Sequence, residues 1–145
     1  MKRVLIVDDE PTILLTLSHL LSNLSVSVVT TGDIEEAEEA ISARNVDLVV
    51  ADIRLNGAHG YEGLRLLDFV KKTSPDTRVI IMTVCGTAEM KDAAYEKGAW
   101  HYCEKPIDTN GLLEKVAALG IPVREPGRPK NRAHAGDEAQ ERFQF

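Results

Sequence analysis

An α/β fold built on a doubly wound parallel sheet follows from three observations. Short, uninterrupted apolar runs recur, at Val4-Leu5-Ile6-Val7, Leu48-Val49-Val50-Ala51 and Val79-Ile80-Ile81-Met82. Amphipathic stretches with helical spacing separate them. The polar residues that interrupt the apolar runs sit at their C-terminal ends: Asp8-Asp9-Glu10, Asp52, Thr83, and Lys105 after the stretch around Ala99-Trp100. Continuous runs of this length read as strands buried on both faces of a parallel sheet. Strands alternating with helices of crossover length give right-handed βαβ units, with helices on both sides of the sheet.

The elements follow in order. Pro11 suits the first turn of a helix, where its missing N–H costs nothing, and Ile13, Leu14, Leu17, Leu20, Leu21 and Leu24 continue an i, i+3/i+4 stripe. A second strand runs from about Val26 to Thr30, followed by Thr31-Gly32-Asp33. Asp33 is a candidate N-cap for a helix with Glu35 and Glu36 in its first turn and Ile34, Ala37 and Ile41 facing inward. After Asp52 comes a polar loop, Asn56-Gly57-Ala58-His59-Gly60, then a helix carrying Leu64, Leu67 and Val70 that ends near Ser74-Pro75-Asp76. Gly86-Thr87 opens a fourth helix, which Lys97-Gly98 closes as a C-cap. Asp108 or Thr109 caps a last helix through Leu112, Leu113, Val116 and Leu119. Five strands and five helices in this alternation predict a flavodoxin-like (βα)5 sheet with strand order 2-1-3-4-5.

A chain of 145 residues holds one domain with a substantial core. Its 43% apolar and 28% charged residues are those of an ordinary globular protein. A net charge of −6 argues against nucleic acid as the main partner. Lys2-Arg3 precedes only four apolar residues, too few for a secretory signal, and no stretch approaches the ~20 apolar residues of a membrane span. Two cysteines, Cys85 and Cys103, make neither a disulfide framework nor a metal motif, which fits the reducing cytoplasm. The expected domain covers residues 1–119. From 120 to 145 the chain holds three of its six prolines and few large apolar residues, and disorder is expected. That tail carries a basic cluster (Arg124, Arg128, Lys130, Arg132) and ends in Phe143 and Phe145, the makings of a partner-binding segment.

The strand ends carry the chemistry. With strand order 2-1-3-4-5, Asp8 and Asp9 adjoin Asp52 across the topological switch point, where open α/β sheets bind ligands. Three gathered carboxylates repel one another until a hard cation joins them. Oxygen-only ligands favour Mg²⁺, with Mn²⁺ as a substitute. Lys105 supplies a point charge for a phosphoryl oxygen and Thr83 a short hydroxyl donor. Any one of these residues alone would be an ordinary cap or turn residue; their placement on four strand ends is what points to a metal-and-phosphoryl site.

These residues resemble the receiver domain of two-component response regulators, the CheY-like family. The resemblance covers roughly residues 1–119 and rests on V-L-I-V-D-D-E, D-L-V-V-A-D-I-R-L, I-I-M-T and E-K-P-I. The stretch T-V-C-G-T-A-E-M-K-D-A-A-Y-E-K-G-A looks most like receivers of NtrC-type regulators, which precede an ATP-driven activator domain; the expectation here is a stand-alone receiver. The resemblance implies that Asp52 is the phosphoacceptor, taking its phosphoryl group from a phosphohistidine on a sensor histidine kinase or a histidine phosphotransfer protein. It implies Asp9 as a direct Mg²⁺ ligand, Asp8 as a ligand largely through water, and the backbone carbonyl of Arg54 as a further one. Lys105 and Thr83 would contact the phosphoryl group, and Tyr102 would be the switch aromatic that turns inward with Thr83. The expected output is a protein partner, with no direct DNA binding, no membrane association, and a monomer or phosphorylation-dependent dimer. The protein would be no enzyme beyond phosphorylating itself from small phosphodonors and dephosphorylating itself.

Two positions depart from the family pattern: Asn56 stands where a proline is usual, and Val84 where a small residue follows the threonine. Val84 is expected to narrow access to Asp52. Two other readings compete. One is a degenerate receiver used only as an interaction surface, against which stand the intact Asp8, Asp9, Asp52, Thr83 and Lys105. The other is an aspartate-nucleophile phosphatase, which needs a second acid two residues after its nucleophile, where this chain has Arg54. The loop residue His59 is expected to be solvated, and Trp100 to serve packing.

Overall fold

A computed structural model describes residues 1–53, 62–84 and 86–123. Strands and helices alternate without exception: β1 (Lys2–Val7), α1 (Pro11–Leu21), β2 (Val26–Thr31), α2 (Ile34–Ala43), β3 (Leu48–Asp52), α3 (Glu62–Thr73), β4 (Arg78–Thr83), α4 (Ala88–Glu96), β5 (His101–Glu104) and α5 (Thr109–Ala118). Met1–Glu104 forms one compact unit that holds the whole sheet with α1 to α4, and a second unit begins at Lys105 and holds α5. The sheet is wholly parallel in the order β2-β1-β3-β4-β5, as the alternation predicts.

Register follows from the apolar runs. Val4 to Val7 pair with Leu48 to Ala51, and Leu48 to Asp52 pair with Arg78 to Met82. A slip of one residue would turn every side chain to the opposite face. Here both faces are covered, so the runs need no polar alternation. One face packs Leu5, Val7, Val49, Ala51, Val79 and Ile81 against Ile34, Ala37 and Ile41 of α2 and Leu66, Leu67 and Val70 of α3. The alternate residues Val4, Ile6, Leu48, Val50, Ile80 and Met82 are equally buried, as are Ile13, Leu17 and Leu21 of α1. Each such valine, leucine, isoleucine or methionine side chain taken from water contributes about 1.5–3 kcal/mol against the entropy of ordering the chain.

The helix ends obey local chemistry. Pro11 occupies the first turn of α1. The Asp33 carboxylate accepts the Glu35 N–H at 3.0 Å, and the Thr87 hydroxyl accepts the Met90 N–H at 3.1 Å. Gly98 closes α4 with φ +105°, a conformation that carries no Cβ penalty only in glycine. Asp108 stands at the N-cap of α5 without a side-chain hydrogen bond to it. One expectation fails at Leu24, which does not continue the α1 stripe. The helix stops at Leu21, Asn23 and Val26 pair through their backbones at 3.2 and 3.3 Å, and Leu24 is left 96% exposed at the turn.

Of the tail expected from residue 120, Gly120 has φ +84° and Ile121 is buried. Its basic cluster and terminal phenylalanines lie outside the described residues, as do Asn56 and His59.

Candidate functional site

The β1–β3 pairing builds the acidic corner. Val7 is paired with Ala51, so the next residue of each strand, Asp8 and Asp52, emerges from the sheet in the same row. Ligand oxygens of Asp8, Asp9 and Asp52 lie within 4.8 Å of one another. Asp8 and Asp52 are buried and Asp9 is exposed, so the cluster opens to solvent on one side. The backbone holds Asp8 twice: its N–H donates to the Thr31 carbonyl at 3.1 Å, and its carboxylate accepts the Glu10 N–H at 2.9 Å. Three acids so close are mutually repulsive, and the donor set is oxygen-only, with one open side. A hard divalent cation that keeps several waters fits such a set.

Thr83 ends β4 and is 1% exposed. Ile53 donates its N–H to the Met82 carbonyl at 3.0 Å, extending the β3–β4 pairing one residue past Asp52. Val84, the next residue after Thr83, is 62% exposed, with its apolar side chain turned largely to solvent. Lys105 immediately follows β5, opens the second unit and is partly buried; the Lys105–Pro106 peptide is cis. Arg54, expected to offer its carbonyl, lies outside the described residues.

Tyr102 lies on β5, the edge strand beside β4, and is 6% exposed. Its hydroxyl has no hydrogen-bond partner among the described residues. Leaving such a group unpaired in the interior costs about 1–3 kcal/mol. Burial pushes the phenol above the ordinary tyrosine range, and the nearby Glu104 and Cys103 charges push the same way. Trp100 is half-buried and meets His101 edge-on, with ring centroids 6.3 Å apart, which agrees with a packing role.

Three residues of this region escape a reading of the sequence. Tyr95, near the end of α4, accepts the backbone N–H of Tyr102 through its hydroxyl at 3.1 Å, and the two rings lie 6.5 Å apart at 50°. Gly86 faces the Tyr102 hydroxyl so closely that a Cβ there would overlap it. Gly63, in the first turn of α3, donates its N–H to the Ile53 carbonyl at 3.0 Å. A Cβ at Gly63 would overlap the Asp52 carbonyl oxygen and come within 3.0 Å of the Asp52 carbonyl carbon. A glycine inside the first turn of a helix, where it costs helix propensity, was the available signal for Gly63.

Known proteins share this fold. Residues 4–117 match the response regulator receiver domain family. The nitrogen assimilation regulatory protein NtrX of Azorhizobium caulinodans is 36% identical over 110 residues, covering 76% of this chain and 24% of that protein. A CheY-like receiver domain protein of Methanospirillum hungatei has a solved structure that superposes with a TM-score of 0.75 at 29% identity, covering 83% of this chain and 94% of that one. The beryllofluoride-activated NtrC4 receiver domain dimer gives a TM-score of 0.74 at 34% identity, covering 82% and 96%. The chain spans about a quarter of the length of the curated relatives it matches. No helix among the described residues is long and apolar enough to cross a membrane. With the family matched across most of its length and the fold and acidic corner in agreement, the chain belongs to the receiver domains of two-component response regulators.

Proposed function

We propose that this chain is a Mg²⁺-dependent phosphoryl acceptor, with Asp52 as the residue modified and a phosphohistidine on a sensor histidine kinase or phosphotransfer protein as donor. The observation that carries the reading is the convergence of Asp8, Asp9 and Asp52 on one solvent-opening corner at the C-terminal ends of β1 and β3. Asp8 and Asp9 with Asp52 would hold the cation. A bound Mg²⁺ would offset the repulsion between the acids and the incoming phosphoryl oxygens. An Asp52 carboxylate oxygen forms the new O–P bond as the N–P bond to the donor imidazole breaks, and the imidazole leaves with a proton from solvent. Asp52 is itself the nucleophile and carries the product, so each transfer leaves the protein modified. The chain is therefore a signalling acceptor, and any enzymatic action is limited to its own phosphorylation and dephosphorylation.

Lys105 is assigned to a phosphoryl oxygen because it follows the last strand, and Thr83 to another because it ends β4. The output is a protein partner, bound through a surface that changes when the acceptor is charged. A cytosolic location is proposed on the same ground, since the histidine-phosphate donors of this chemistry are charged there.

Intact-mass measurement after incubation with Mg²⁺ and acetyl phosphate tests the reading. The expected result is the gain of one phosphoryl group, absent in Asp52→Asn and strongly reduced when the metal is chelated. A gain that persists in Asp52→Asn, or no gain with any small phosphodonor, overturns it.

A further inference from the structure

Gly86 lies between Thr83 at the end of β4 and Thr87 at the cap of α4, and its backbone does not require glycine. The glycines with positive φ among the described residues are Gly98 and Gly120. What distinguishes Gly86 is the space beside it. A Cβ built there would overlap the Tyr102 hydroxyl, lie 3.0 Å from the ring carbon that bears it, and come 3.1 Å from the Thr83 methyl. The first two obstacles are the far end of a side chain. A methyl group at 86 is therefore relieved by swinging one ring outward, with no rearrangement of the sheet. The ring is also poorly rewarded for staying, because its buried hydroxyl has no hydrogen-bond partner among the described residues. Its backbone is held separately, by the Tyr102 N–H to Tyr95 hydroxyl bond at 3.1 Å, so the ring can leave while β5 stays in place.

We propose that Gly86 is a positioning residue that admits the Tyr102 ring to the interior beside Thr83, so that the volume at position 86 decides whether the ring lies inside or outside. The inference deepens the phosphoacceptor reading and, for its signalling consequence only, rests on it. Thr83, assigned above to the phosphoryl group, borders the same space as Gly86 and Tyr102. With that space filled, Asp52 still accepts a phosphoryl group, and the Tyr102 ring stays outside whether or not it does.

The test uses the full chain labelled with fluorotyrosine, with the Tyr102 fluorine resonance identified by its loss in Tyr102→Phe. A soluble paramagnetic co-solute reads the exposure of each ring. In the unmodified protein Tyr102 is expected to be shielded and Tyr95, which is 41% exposed, to be attenuated. In Gly86→Ala the Tyr102 signal should be attenuated as strongly as that of Tyr95, while phosphoryl gain by intact mass is retained. A Tyr102 ring as shielded in Gly86→Ala as in the unmodified protein overturns the proposal. Should Gly86→Ala fail to fold, the same substitution is made with Tyr102→Leu. Recovery of folding there supports a clash with the ring, and failure there places the cause in the backbone and sinks the idea. If no phosphoryl gain occurs even in the unmodified protein, the phosphoacceptor reading fails, and the ring measurement still decides the role of Gly86.

Discussion

The acidic corner at the ends of β1 and β3 and the tyrosine corner on β5 are assembled on opposite principles. In the first, three like charges are forced together by strand register and backbone hydrogen bonds, so the tension is electrostatic and a ligand can relieve it. In the second, a ring fills a space left by a missing Cβ, and the tension is a hydroxyl without a partner among the described residues. The acidic corner depends on residue type and the tyrosine corner on volume. The first corner should therefore answer to a cation and the second to a change of volume.

Mg²⁺ should affect the acidic corner most. At a hundred times its Kd it would raise the unfolding free energy by about 2.7 kcal/mol. Denaturant melts with and without Mg²⁺ measure this, and the increment should vanish in Asp9→Asn. An equal increment in both proteins would place the ion elsewhere.

Gly63→Ala comes next, because here the obstacle to a Cβ is backbone at Asp52 and cannot swing away. A loss of about 1–3 kcal/mol in stability is expected, of the size that overpacking causes. Phosphoryl gain from acetyl phosphate should slow at the same time, since the acceptor itself is displaced. A variant with unchanged phosphorylation rate would show that Asp52 tolerates the shift.

At the tyrosine corner, Tyr95→Phe keeps the ring contact and removes the acceptor of the Tyr102 N–H. The stability cost should be about 0.5–1.5 kcal/mol, the net value of one hydrogen bond. Faster amide hydrogen exchange confined to β5 and the end of α4 would locate that loss, whereas uniform exchange would not.

The smallest effect is in pH. Tyr102 has its pKa raised in the folded protein by burial, so the unfolded chain releases that proton first as pH rises. Its contribution to stability is complete below the ordinary tyrosine pKa of about 10 and declines above it. Tyr102→Phe should therefore lose less stability than the unmodified protein between neutral pH and the alkaline limit of folding. Parallel curves would mean that the phenol titrates as freely folded as unfolded.

Sequence by itself determined the alternation of elements, the parallel sheet and the gathering of Asp8, Asp9 and Asp52. Those follow from short-range rules: four-residue apolar runs can be buried only on two faces, and register then carries the acids at their ends into one corner. Helix caps at Asp33 and Thr87 were legible for the same reason, since a cap and its N–H are neighbours in the chain. Leu24 misled because its helical spacing was apparent, yet the backbone pairing of Asn23 with Val26 took precedence over another turn. Only the tertiary structure decided the roles of Gly63, Gly86 and Tyr95. Each matters through what it meets across the fold: the carbonyl of Asp52, the hydroxyl of Tyr102, and the N–H of a strand seven residues away. Close packing is a property of pairs brought together in space, and no periodicity in a chain announces where the absence of a single Cβ makes room for a ring.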